Sequence, residues 1–164
     1  MSENQYRRAN LKAFAVDSII CACIFFMLLV IALATGFTAG AIIQLGGCVA
    51  GYLMTLFGLM MERGTKKGAI MIMGGSSIVY FLTMILKTDP VYFMFGCTIL
   101  FSSMVYLNMR IVYSGEAVIA AGFAISLIRA TLTGGFTWTY FIYLAVLILS
   151  GVAAAESVKL IKKC

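Results

Sequence analysis

The sequence predicts an all-α integral membrane bundle of about six transmembrane helices, with the N- and C-termini both cytoplasmic. Three observations lead there. First, 63% of the 164 residues are hydrophobic, 11% are charged, and the mean hydropathy is +1.06. A soluble domain carries roughly 25% charged residues to face water, so these polar residues could not cover a globule. Second, the apolar residues fall in runs of about 20, the length that crosses ~30 Å of hydrocarbon as a helix. The runs do not alternate as barrel strands do, and a helix pairs its own backbone polar groups in lipid. Third, the breaks between the runs are short and gather the Lys and Arg.

The runs are Ala13–Ala34, Ala39–Met61, Gly68–Leu86, Val91–Met109, Ala117–Thr133 and Thr137–Ala155. The fifth is the shortest and carries Arg129. Polar breaks separate them at Thr35–Thr38, Glu62–Lys67, Lys87–Pro90, Arg110–Glu116 and Gly134–Phe136. Residues 1–12 are thus expected as a cytoplasmic N-terminal segment, 13–155 as the six-helix module, and 156–164 as the start of a cytoplasmic output helix.

Orientation follows from the cations, which concentrate on the cytoplasmic side of membrane proteins. With the N-terminus inside, Arg7, Arg8, Lys12, Arg63, Lys66, Lys67, Arg110, Lys159, Lys162 and Lys163 all fall inside, ten of the twelve. Only Lys87 and Arg129 lie outward. The basic start and Ala32-Leu33-Ala34 imitate a signal peptide. The apolar stretch is too long for one and holds Asp17, so the first helix is expected to stay. Leu45-Gly46-Gly47-Cys48 looks like a lipoprotein box but sits inside the second run.

The net charge of +6 does not describe a nucleic-acid surface, because the cations sit in short clusters between apolar runs. Cys21, Cys23, Cys48 and Cys97 lie in apolar runs, where a thiol acts as a small hydrophobe. No CxxC pair and no His occur, so neither a metal site nor a disulfide framework is expected. The segments outside the runs are too short to fold into a catalytic domain. Neither an enzyme nor a cofactor is expected.

Any recognition must then use the helix bundle, the loop rims or a partner. Ionisable residues inside spans are functional candidates, because charge in lipid is costly. Asp17 and Arg129 lie near opposite faces and are expected to snorkel to the nearer interface. Arg129, Gln44 and Asn108 are the candidate contacts for a bound solute. In the second run Gly40, Gln44, Gly47, Gly51 and Gly58 share one face. Gly40, Gly47, Gly51 and Gly58 are the expected packing seam, since small residues let a second backbone approach. Gly74-Gly75-Ser76-Ser77 and Ser102-Ser103 offer similar faces. Trp138, Tyr140 and Tyr92 are expected in the outer aromatic belt. From Thr137 to Lys163 no Pro occurs, and Glu156, Lys159 and Lys162 sit where the last helix leaves the membrane. An uninterrupted exit helix can carry a signal, and its lysines meet anionic headgroups.

Four stretches carry a family likeness: Tyr6-Arg7-Arg8-Ala9-Asn10, Arg63-Gly64-Thr65-Lys66-Lys67-Gly68, the run from Ile99 to Arg110 (ILFSSMVYLNMR), and Ser157-Val158-Lys159-Leu160. With them the chain resembles, over nearly its whole length, the six-helix N-terminal membrane module of one group of bacterial methyl-accepting chemotaxis proteins. The resemblance implies a sensory input module in the bacterial cytoplasmic membrane, acting as a homodimer within the lipid bilayer. It also implies a downstream signalling coiled coil that controls a histidine kinase. That coiled coil does not follow Cys164, so an excised or truncated module, or a stand-alone protein of similar build, is expected. The alternative on residues alone is a small transporter or solute-binding membrane subunit; a third is a scaffold.

Overall fold

A computed structural model describes residues 2–86 and 90–163, and their side chains apart from those at 90, 91, 94, 162 and 163. Among the described residues there are six α-helices and one 3-10 segment: α1 Glu3–Thr35, α2 Ala39–Met61, α3 Lys66–Leu86, the 3-10 segment Pro90–Phe95, α4 Gly96–Met104, α5 Met109–Leu132 and α6 Thr139–Lys163. The chain divides into two compact units, Met1–Leu82 and Thr83–Cys164. The predicted break at Lys87–Asp89 lies outside the described residues.

In the first unit α1 starts at Glu3, well before Ala13, because Ser2 caps it. Ser2 Oγ accepts from Gln5 N–H at 3.4 Å and Gln5 Oε1 accepts from Ser2 N–H at 2.8 Å. This reciprocal capping box satisfies two donors that a helix start would otherwise leave orphaned. The N-terminal segment is therefore helix, and α1 has 33 residues, about 50 Å of rise. The chain turns at Gly36, whose φ of 91° suits glycine. Thr38 then caps α2, accepting from Ala41 N–H at 3.2 Å.

Glycines bring α2 and α3 together. A Cβ on Gly51 would stand 2.7 Å from Gly75 O and from Val79 Cγ2, and one on Gly58 would stand 2.7 Å from Met71 Cβ. On Gly47 it would overlap Leu82, and on Gly75 it would overlap Gly51 O. The backbones pass so closely that only hydrogen fits at these crossings. Gly40 is different and corrects the expected seam: nothing but Thr38 Oγ1, at 4.0 Å, comes near its Cβ position. It lies at the first turn of α2, before the helices converge.

The second unit holds the largest departure from expectation. The run Val91–Met109 is not one helix. It is the 3-10 segment and nine residues of α4, followed by a turn in which Leu107 takes φ 48°. Left-handed backbone at a non-glycine residue costs roughly 1–2 kcal/mol, so it ends α4. Asn108 then opens α5, its Oδ1 accepting from Arg110 N–H at 3.0 Å. Arg110–Glu116, expected as a loop, forms the first turns of α5. The buried stripe Ile111, Val112, Gly115, Ile119, Gly122 and Phe123 explains why. That spacing turns one face inward along the whole helix. Among the described residues five helices, α1, α2, α3, α5 and α6, are long and apolar enough to cross a membrane.

Candidate functional site

Two of the stretches carrying the family likeness meet in space. Asn10, fully buried on α1, donates through Nδ2 to Arg63 O at 2.9 Å and Thr65 O at 3.2 Å. It thereby fastens the α2–α3 turn to α1. Thr65 Oγ1 donates to Glu62 Oε2 at 2.7 Å and accepts from Gly68 N–H at 3.2 Å, which starts α3. Gly68 is required here, since a Cβ would stand 2.8 Å from Asn10 Nδ2 and overlap Glu62 O. Around this clamp Arg7, Arg8, Lys12, Arg63, Lys66 and Lys67 are all exposed. The result is a cationic collar at one end of the first unit, suited to anionic headgroups or phosphate.

The second unit is built on aromatics. Phe93 stands edge-on to Phe123 at 5.3 Å and to Tyr143 at 5.9 Å, and Tyr140 lies 5.9 Å from Phe123. These rings join the 3-10 segment, α5 and α6. Tyr140 is 2% exposed and its hydroxyl pairs with Ser126 Oγ at 3.2 Å, so it belongs to the core and not to an aromatic belt. Trp138, by contrast, is 80% exposed.

Further along the α5–α6 seam, Glu116 occupies a notch left by Gly151. A Cβ on Gly151 would stand 2.5 Å from Glu116 Oε1 and 2.6 Å from its Cδ. Glu116 Oε2 is buried with no hydrogen-bond partner. A carboxyl group set between helices without a partner is costly as an anion and responds to anything that moves the helices. From the notch α6 continues unbroken to Lys163, with Ala154, Ala155 and Val158 buried and the Lys159–Glu156 ion pair, 2.6 Å long, outside. Ile161, one turn beyond Val158, is 53% exposed. The Lys162 side chain lies outside the described residues.

The predicted solute contacts do not converge. Asn108 caps the start of α5 and Arg129 lies in its last turn, about 31 Å apart along the axis. One small solute cannot touch both, and the Asn108 oxygen is spent on the cap. Arg129 keeps Nη1 buried without an acceptor. Gln44, in the first unit, is 3% exposed with Nε2 unpaired. Asp17 is 4% exposed, so its side chain does not reach out to an aqueous rim. No group of three or more His, Cys, Asp or Glu among the described residues is placed to hold a metal.

Sequence reasoning missed Asn10 as a clamp and Glu116 as a helix-seam residue. The first has no local signal, because its partners lie more than fifty positions away. The second has one in the Ile111–Ile119 spacing, but the polar cluster Arg110–Glu116 masks it by reading as a break. Among the described residues, fold and site together define an all-α, multi-helix architecture with five helices of membrane-crossing length and apolarity. Compared with family models, curated proteins and solved structures, it matches none.

Proposed function

We propose that the chain is a membrane-embedded sensory input module of a chemotaxis-type receptor, multi-pass in a bacterial cytoplasmic membrane, that sends its signal inward through α6. The exposed apolar surface supports the membrane setting: Leu132, Trp138, Met60 and Leu149 are 82, 80, 73 and 68% exposed. Surface of that kind in water is an aggregation liability; in lipid it is solvated. The observation that carries the signalling role is the uninterrupted α6, seated on α5 at the Glu116–Gly151 notch and emerging through Glu156 and Lys159. A stimulus that favours one packing of α5 on α6 shifts the population between two positions of the exit helix. A second copy packs against the open α6 stripe of Ile142, Leu149 and Val152, and a downstream coiled coil reads the difference.

The test fuses the chain to a cytoplasmic kinase-control coiled coil and inserts one to four residues after Ala155. Each insertion turns the following helix by about 100°. Kinase output is expected to swing with the phase; output indifferent to it would refute transmission through α6. The broken fourth run favours a second reading, since discontinuous helices mark solute sites in transporters. Uptake or tight retention of a solute by proteoliposomes holding the chain would favour that reading over the first.

A further inference from the structure

A cavity of about 290 Å³ lies between α1 and α2, and two thiols line it. Cys21 on α1 donates through Sγ to Cys48 O at 3.5 Å, which sets the two cysteines beside each other across the helix pair. Ser18, one turn earlier on α1, borders the same cavity with its Oγ buried and unpartnered. Phe25 and Tyr52 supply aromatic wall. Phe26, at the rim, is 64% exposed, so the cavity opens sideways from the helix pair. Cys48 sits about 14 Å along α2 from Ala39 and about 20 Å from Met61, near mid-length.

We infer that Cys21 and Cys48 form a dithiol–disulfide site whose oxidant is a lipid-soluble quinone bound in this cavity. Chemistry, depth and shape together select that class. Two thiols on adjacent helices, lining one cavity and joined by the Cys21 Sγ contact to the Cys48 backbone, can together undergo a two-electron oxidation, which no single cysteine can complete within the chain. Their depth along α2 keeps them from hydrated oxidants, because exchange with a water-soluble disulfide needs a thiolate and a hydrated partner at a place that disfavours both. The volume lies near the lower end of small-molecule sites, roughly 300–1,000 Å³, and it joins an apolar aromatic wall to one donor without a partner. A ring with two carbonyl oxygens answers each of these features, with Ser18 Oγ donating to one oxygen.

The reaction balances within the site. Both S–H bonds break and one S–S bond forms between Cys21 and Cys48. The two electrons and two protons pass to the quinone, whose carbonyl oxygens become the hydroxyls of the hydroquinone. The disulfide then locks α1 to α2 until a reductant reopens it. The inference rests on the membrane placement proposed above but not on the output through α6.

The test uses the full chain, reduced and reconstituted in vesicles, exposed to decylubiquinone, a fully substituted quinone that cannot add to a thiol. After alkylation and digestion, intact mass and peptide mapping read the state of the five cysteines. The expected result is loss of two alkylatable thiols and an intramolecular Cys21–Cys48 peptide pair. Oxidised glutathione at equal concentration is expected to act more slowly, and Ser18→Ala to slow the quinone reaction. Cys23→Ser is expected to change nothing. Retention of all five thiols, a disulfide that scrambles onto Cys23 or Cys97, or equal rates with glutathione would each overturn the proposal. If the thiols persist while terminal tags still report a membrane topology, the quinone site falls and the membrane reading stands.

Discussion

Asn10 is the side chain whose removal the first unit should feel most. Its amide holds two backbone carbonyls of the α2–α3 turn, and each hydrogen bond of this kind contributes on the order of 1 kcal/mol, with a further cost for stranding its partner. Asn10→Ala is expected to destabilise the protein by about 2 kcal/mol, read as a lowered midpoint of thermal unfolding in detergent micelles. An unchanged midpoint would mean that the turn holds itself. Glu116 and Gly151 make a second, pairwise prediction. Gly151→Ala should displace the carboxylate end of Glu116, costing roughly 1–2 kcal/mol in the native background. In a Glu116→Ala background the same change should cost little, because the group it collides with is gone. The coupling in that cycle is the measurement; additive costs would show that Gly151 answers to something other than Glu116. Neither site is fully legible in the sequence. Asn10 needs a long-range contact, and Glu116 is concealed by neighbouring polar residues that look like a loop.

At the level of helices, hydropathy locates most segments well and one badly. The bounds of α2 follow directly from its apolar run, because Thr38 caps one end and Glu62 closes the other. The run after Pro90 is just as apolar, yet it divides. Hydropathy reports what a segment dissolves in and is blind to the difference between 3-10 and α geometry or to a left-handed residue at its end. Leu107 is that residue, and Leu107→Gly should stabilise the α4–α5 turn by about 1 kcal/mol, since glycine adopts φ 48° freely. A fall in unfolding midpoint would instead show that the packing of the leucine side chain outweighs the backbone strain. For the α2–α3 pair, Gly51→Leu should abolish the close approach and yield a protein that aggregates on size-exclusion chromatography. Gly40→Leu, where the space is open, should elute as the parent does. Equal behaviour of the two variants would remove the glycine crossing as the reason these helices pair.

The division of the fourth run raises a question about topology that charge and length answer together. The 3-10 segment rises about 12 Å over its six residues and α4 about 14 Å over its nine, some 25 Å in all, a little short of a ~30 Å hydrocarbon core. If this stretch dips in and returns, five crossings remain and the two termini face opposite compartments. The positive-inside rule weighs against that arrangement. It would send Arg110, Lys159, Lys162 and Lys163 to the far side with Lys87, while Arg129 joined the six cations at the N-terminal end, leaving seven against five. A sixth crossing leaves ten against two. A shortfall of a few ångströms is met by local thinning of the bilayer, at fractions of a kcal/mol per ångström, whereas three lysines moved across the membrane forgo a far larger orientational bias. The fourth stretch should therefore cross, compact as it is. Fluorescent and phosphatase reporters fused in turn to the N-terminus and after Lys163 are expected to assign both ends to the cytoplasm, and a reporter in the Gly134–Phe136 turn to assign it outside. Phosphatase activity at the C-terminal fusion would mean the opposite: α4 would then be a re-entrant element, and α6 could not deliver a signal inward.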